Sequence, residues 1–350
     1  MMQSHVLQDI QAQPRSLAEV LRHHSEGGRA ALLEAAALLT SGKQVILTGM
    51  GASMYAAISL EYALNSHNIP AFLVEGGELL HYRRQLCREA VVLIVSRSGE
   101  SVEVAKLLEV LQGHAKVIGV SNDPVSLLAK EADVSIHIGS LPDEMVAIQS
   151  YTGTVLTMQL LYNAVVNKRP EDDTELHSAL DALPSLIAHE VETATKWDKL
   201  LTRKSPPYLL GRGPSYGSVL EGSLLFHETA KAPAVGIHAA SFRHGPVEIV
   251  DGDFAGIVFA PSGVTRNLNL GLARDIVRFG GTLHVIGPGG ADCEGLELCE
   301  TPQVAETLAP LFEIVPVQCA ALRLAQLRGL KIGSFRYTPL VTRDEVGFAS

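Results

Sequence analysis

Six consecutive residues, Ser96-Arg97-Ser98-Gly99-Glu100-Ser101, stand between the apolar run Val92–Val95 and a segment whose apolar positions Val104, Leu107, Leu108 and Leu111 fall at helical spacing. A buried strand therefore hands over to a helix across three hydroxyls and a glycine. Such a turn presents unpaired backbone N–H groups and the positive end of the helix dipole, and the serines add donors. That is the chemistry of an anion site, most naturally for a phosphate. Ser98 or Ser101 would serve equally well as a plain helix cap. From this stretch alone the two readings weigh the same.

The surrounding elements repeat a strand-then-helix rhythm. Residues 1–40 read as helical, with a break at Pro14. Strand Val45–Thr48 runs into Gly49-Met50-Gly51-Ala52-Ser53 and a helix from about Met54; glycines at such a turn let the backbone approach a ligand. Strands Ala71–Glu75, Ala115–Asp123 and Val134–Gly139 follow, and Glu144 to Leu161 reads as one long helix that begins polar. Strands alternating with helices at this pace predict a parallel sheet wound on both faces. A helical linker spans about 172–200, interrupted at Pro184.

From Pro206 the pattern starts again. Gly211-Arg212-Gly213-Pro214-Ser215 repeats the G-x-G-x-S of Gly49 to Ser53 at an offset of 162, and Pro261-Ser262-Gly263 matches Arg97-Ser98-Gly99 at 164. Thr282–Gly287 matches the strand at Lys116 with a similar offset. Three landmarks in register predict a duplicated domain. The expected division is an N-terminal helical segment 1–42, a first domain 43–170, a helical linker 171–204, a second domain 205–334 and a tail 335–350.

Composition narrows the function classes. The chain of 350 residues is 47% apolar, 5% aromatic and carries a formal charge of −10, without any basic run, so no nucleic-acid footprint is expected. Cys87, Cys293, Cys299 and Cys319 form no CxxC pair and read as reduced packing residues, and no metal-ligand cluster or cofactor is expected. The N-terminus lacks an export signal and no apolar run is long enough to span a membrane, so a cytoplasmic protein is expected. A dinucleotide site fits poorly: Gly49-Met50-Gly51 is followed by Met54 where G-x-G-x-x-G needs its third glycine, although Glu75 does end the second strand.

Several motifs together resemble the sugar isomerase (SIS) domain family, above all the tandem-SIS isomerase half of glutamine:fructose-6-phosphate aminotransferase and its stand-alone relatives. Asp9-Ile10-Gln11-Ala12-Gln13-Pro14 resembles the family's E-I-x-E-Q-P, and Ser96 to Ser101 its S-Q-S-G-E-T phosphate loop with Arg97 in place of Gln. Gly211-Arg212-Gly213 with Leu220-Glu221-Gly222 resembles L-G-R-G…E-G-x-L-K-x-K-E, and Arg243-His244-Gly245-Pro246 resembles K-H-G-P. The resemblance implies two tandem α/β SIS domains, each a doubly wound, flavodoxin-like parallel sheet flanked by helices. It implies a phosphosugar ligand whose phosphate is held by Gly51, Ser53, Ser96, Ser98 and Ser101; Arg97, which departs from the family's Gln, either adds a charge contact to the phosphate or points to solvent. Glu144 to Thr152 is similar to the family's E-I-x-V-A-S-T-K, which brings Ala147 and Gln149 near the sugar; Gln149 reads equally well as an ordinary polar residue of a helix start.

A proton shuttle between C1 and C2 of an open-chain sugar needs a carboxylate over both carbons and an acid to open the ring. Glu228 and His244, sixteen residues apart, reproduce the family's spacing between base glutamate and ring-opening histidine. The resemblance further implies a homodimer, with His244 reaching the neighbouring subunit's site and the C-terminal tail near the active site. On spacing alone, Glu228 reads as a helix-end carboxylate and His244 as a loop residue; the H-G-P match shifts the weight to function. His227 and His238 lack a motif and read as structural. Pro339 stands about where the aminotransferases carry their Schiff-base lysine, Leu225 replaces another lysine, and the given sequence shows no glutaminase stretch. Glutamine-dependent amination is therefore not expected. Isomerisation or deamination of a hexose 6-phosphate or amino-hexose 6-phosphate survives, with a fructosamine-phosphate deglycase or a non-catalytic sugar-phosphate sensor as alternatives.

Overall fold

Uninterrupted runs of Val, Ile and Leu make the central strands. β1 (Val45–Gly49) and β3 (Val91–Val95) are buried at every position, the signature of parallel strands covered on both faces. The structure is a computed structural model and describes residues 4–332, 334–337 and 341–346. With β2 (Ala71–Glu75), β4 (Lys116–Ser121) and β5 (Val134–His137) these strands form a five-stranded parallel sheet in the order β2-β1-β3-β4-β5. The direction of winding reverses between β1 and β3, where Gly49 lies in register with Val95. In an open α/β sheet, ligands bind outside the carboxyl ends of the strands at this reversal.

A second parallel sheet has β6 (Pro207–Gly211), β7 (Val235–His238), β8 (Ala255–Phe259), β9 (Thr282–Gly287) and β10 (Leu298–Glu300) in the order β10-β9-β8-β6-β7. Read from β7, this is the topology of the first sheet. The short strands β7 and β10 carry too little apolar pattern to stand out in the sequence. Each sheet packs its own core. Ile46, Val92 and Ile94 meet Val104, Leu107, Leu108 and Leu111 of the helix Val102–Leu111. Leu210, Val258 and Val285 meet Leu270, Ala273 and Ile276 of the helix Arg266–Arg278, with Phe242 and Phe254 beside them. Each such fully buried side chain is worth about 1.5–3 kcal/mol.

The chain divides into two compact units, Arg15–Thr174 with Phe335–Ser350 and Met1–Pro14 with Glu175–Ser334. The segment expected as N-terminal and the segment expected as linker are thus each shared out with a sheet, and the tail groups with the first sheet. Two expected helix breaks do not occur. The helix His5–Ser25 runs through Pro14, and the Gln13 side-chain amide donates to the Ile10 carbonyl at 3.0 Å, the acceptor that a backbone N–H at position 14 would have used. The helix Thr174–Glu192 likewise runs through Pro184. A third expectation is also corrected: the helix expected from Glu144 starts at Gln149 and runs to Val165, for a reason that belongs to the site. Among the described residues, no helix is long and apolar enough to cross a membrane.

Candidate functional site

Two turns converge at the β1/β3 reversal. A Cβ at Gly49 would stand 2.7 Å from the Val95 carbonyl oxygen, so only glycine lets the end of β1 lie this close to the end of β3. The β1 turn passes through Gly51 at φ 51° into the helix Ala52–Ser66, and the Ser53 N–H donates to the Met50 carbonyl at 3.2 Å. Ser53 is half-buried in the first turn of that helix.

The β3 turn is tightly built. Ser96 is buried and its Oγ accepts the Gly99 N–H at 3.1 Å; Ser98 Oγ accepts the Glu100 N–H at 3.3 Å. In both contacts the hydroxyl accepts, which leaves its proton to donate to an anion. Gly99 has φ 64°, and a Cβ there would lie 2.3 Å from Ser126 Oγ, so both backbone and space demand glycine. Glu100 turns its carboxylate to the Leu127 N–H at 2.7 Å, bracing the turn from β4's side. Ser101 precedes the helix Val102–Leu111 with extended backbone and makes no side-chain cap bond, so the plain-cap reading of this residue fails. The Val102 N–H donates to the Thr342 carbonyl at 3.1 Å, and Glu345 pairs with Lys106 and, at 3.0 Å, with His81. The tail therefore crosses the start of this helix. Pro339 lies outside the described residues.

The third piece is a carboxylate that the sequence did not single out. The Asp143 side chain has no exposed surface; it accepts the N–H groups of Ile148, Gln149 and Ser150 at 3.2, 2.6 and 3.1 Å and the Ser150 hydroxyl. It fills the positive end of the helix Gln149–Val165, which is why that helix starts at Gln149 and residues 144–148 loop beneath it. Burial raises its pKa, opposed by the Ser150 hydroxyl, the Gln149 and Ser150 amides and the Arg97 guanidinium 4.0 Å away. Gln149 is buried and its side-chain amide donates to the Pro142 carbonyl at 3.0 Å; Ala147 is half-buried in the loop that Asp143 ties down. An Asp six residues before a helix matches no capping spacing, so only the fold reveals it.

Glu228 and His244 lie in the other unit. Glu228 is half-buried near the C-terminal end of the helix Tyr216–Ala230; its carbonyl accepts from Lys231 Nζ, and Lys231 closes the helix in the left-handed region at φ 50°. His227 Nε2 is 3.2 Å from both the amide and the carbonyl of Ala234, bracing the turn into β7. His238 stacks on Tyr216 with ring centroids 3.4 Å apart, and burial lowers its pKa. His244 is exposed on the turn after Phe242, where its N–H donates to the Ser241 carbonyl at 3.0 Å. Among the described residues, no group of three or more His, Cys, Asp or Glu could hold a metal ion.

Residues 38–168, which contain both serine turns and the Asp143 loop, match the sequence profile of the SIS domain. This stretch is an SIS domain. Over the longer chain, the sequence is 27% identical across 333 residues to glutamine--fructose-6-phosphate aminotransferase [isomerizing] of Pyrobaculum aerophilum, covering 93% of this chain and 55% of that protein. It is 25% identical across 341 residues to the Escherichia coli protein of the same name, covering 93% and 56%. The chain thus spans about half the length of these curated relatives. Among solved structures, it superposes on the C-terminal domain of glucosamine-fructose-6-phosphate aminotransferase from Francisella tularensis with a TM-score of 0.81 at 17% identity, covering 95% of this chain and 98% of that one. Glucosamine-6-phosphate deaminase from Thermotoga maritima gives 0.75 at 20%, covering 97% and 100%. At these identities the structural likeness speaks for the fold: two parallel five-stranded sheets flanked by helices.

Proposed function

We propose that the protein is a phosphosugar aldose–ketose isomerase or amino-sugar-phosphate deaminase acting on a hexose 6-phosphate or amino-hexose 6-phosphate. The observation that carries this reading is the convergence of two hydroxyl-bearing turns at the β1/β3 reversal of the SIS domain, each opening a helix. Ser53, Ser98 and Ser101 donate to the phosphate with the amides of the two helix starts. Ser96 shapes the turn by accepting the Gly99 N–H and keeps its hydroxyl proton for the phosphate. Arg97 adds positive charge, and the loop holding Ala147 and Gln149 lines the sugar.

In this mechanism His244 assists ring opening and Glu228 then moves a proton between C2 and C1 of the open chain. On an amino sugar, proton transfer from C2 to C1 gives the ketosimine, which water hydrolyses to fructose 6-phosphate and ammonia. The chain acts as a homodimer in the cytoplasm, with His244 serving the partner's site; the exposure of His244 in the single chain supports this. The test is incubation with glucosamine 6-phosphate while ammonia and fructose 6-phosphate are both measured, with Glu228→Gln alongside. Both products forming, and falling by at least a hundredfold in the variant, is the expected result. Saturable binding without turnover on any hexose 6-phosphate would leave a sensor instead.

A further inference from the structure

The second sheet repeats the first sheet's topology, so it has a reversal of its own, between β6 and β8. Its turns also repeat the hydroxyls. Ser215 follows β6 at the place of Ser53, and Ser262, Gly263 and Thr265 follow β8 at the places of Ser98, Gly99 and Ser101, the last pair again 164 positions apart. Thr265 directly precedes the helix Arg266–Arg278, as Ser101 precedes its own helix.

What differs is what faces these turns. The carboxylate of Glu306 lies directly against Gly263: a Cβ there would stand 2.4 Å from Glu306 Cδ and from Oε2. It also reaches the β6 turn, since a Cβ on Gly213 would stand 3.5 Å from Oε1. One carboxylate thus spans both glycine turns at the start of the helix. Burial raises the Glu306 pKa, with the Val264 amide and the Thr265 side chain opposing the rise, while Thr265 Oγ1 itself is buried without a hydrogen-bond partner among the described residues. The hydroxyl of the β6 turn is engaged elsewhere: Ser215 Oγ donates to the fully buried Glu313 at 3.0 Å, beside Ser218 Oγ at 2.7 Å. In the first unit the glycine at the place of Gly263 meets no carboxylate among the described residues: a Cβ on Gly99 would meet Ser126 and Leu128.

We propose that the second reversal is a latent oxyanion cradle, sized for a phosphate group, which the chain fills with the carboxylate of Glu306. The chemistry assigned to the cradle rests on the reading of the first unit as the phosphate site. The wild-type chain then takes one phosphate-bearing ligand, and removing the carboxylate uncovers a second anion site in the other unit. The carboxylate also explains how the second unit keeps hydroxyl-bearing turns without competing for substrate.

The experiment counts sites by isothermal titration with inorganic phosphate, checked by equilibrium dialysis. It uses the full chain as wild type, Glu306→Ala and Glu306→Gln, with a thermal melt for each. The expected result is one site per chain in the wild type and two in Glu306→Ala. Glu306→Gln, which keeps the side-chain volume, also gains a site but a weaker one, and it carries the test if the alanine variant fails to fold. Adding Thr265→Val to Glu306→Ala returns the count to one. A folded variant that keeps the wild-type count overturns the proposal, and so does a wild type that already binds two. A wild type that binds none, with a variant that binds one, upholds Glu306 as the plug and refutes the first-unit phosphate site.

Discussion

Replacing Asp143 tests how the first unit builds the loop proposed to line the sugar. In Asp143→Ala, three backbone N–H groups and one hydroxyl lose their acceptor at positions where Ile148, Gln149 and Ser150 are buried. A lost helix cap costs about 0.5–2 kcal/mol, and each buried donor left unpaired costs about 1–3 kcal/mol. The carboxylate's own desolvation, visible as its raised pKa, offsets part of this, and the half-exposed Arg97 at 4.0 Å adds little. The expected net destabilisation is about 3 kcal/mol, a roughly hundredfold loss of protection at about 1.4 kcal/mol per decade. Asp143→Asn keeps one acceptor oxygen and is expected to lose only about 1 kcal/mol. Amide hydrogen exchange reads the effect where it arises, at Ile148, Gln149 and Ser150, and phosphosugar titration reads its consequence. Unchanged exchange at these amides in Asp143→Ala would refute the assignment of Asp143 as the anchor of the loop.

Four further outcomes follow from the same geometry. On the proposed phosphate site, Ser98→Ala and Ser101→Ala each remove one hydrogen bond to a charged group, worth about 1.5–3 kcal/mol, so KM for a phosphosugar should rise about ten- to a hundredfold with little change in kcat; steady-state kinetics decides. Gly99→Ala forces an L residue to φ 64° with its Cβ 2.3 Å from Ser126 Oγ, and should abolish phosphosugar binding while circular dichroism shows the sheet retained. Glu313, fully buried, has its pKa raised by burial to about 7. The stability it contributes is present below the ordinary glutamate pKa and is lost as pH rises through about 7, so Glu313→Gln should stabilise the protein at pH 8, by roughly 3 kcal/mol at most, and not at pH 4; urea melts at the two pH values test the sign. Lys106→Met removes one of Glu345's two partners among the described residues, the one on the helix Val102–Leu111, and leaves His81; limited proteolysis should then cleave the tail faster than in the wild type.

The duplicated α/β architecture is legible because it rests on local, periodic signals: Val and Ile runs for the inner strands, helical spacing behind them, and G-x-G-x-S twice. The serine turns are legible for the same reason, since a strand, a hydroxyl-bearing turn and a helix start are contiguous in sequence; their use as an anion site stands as a proposal. Signals of long range are not. Nothing near Asp143 announces that it folds back on a helix six residues away, and Glu306 reaches the turns at Gly213 and Gly263 only through the fold. Pro14 misleads because a side chain beside it compensates: the Gln13 amide takes over the lost hydrogen bond at Ile10 and is itself held by Gln318 across the core; among the described residues no such replacement is seen at Pro184. Glu228 and His244 are singled out by motif alone, since neither spacing nor burial distinguishes a helix-end carboxylate and a surface histidine from their ordinary counterparts; their catalytic role stands as a proposal.

The most direct test of the central claim is a crystal structure of the wild-type protein with glucosamine 6-phosphate bound. The phosphate should lie between the two turns of the SIS domain, within hydrogen-bond distance of Ser53, Ser98 and Ser101. A phosphate found at the β6/β8 reversal, or away from both serine turns of the first sheet, would contradict the account.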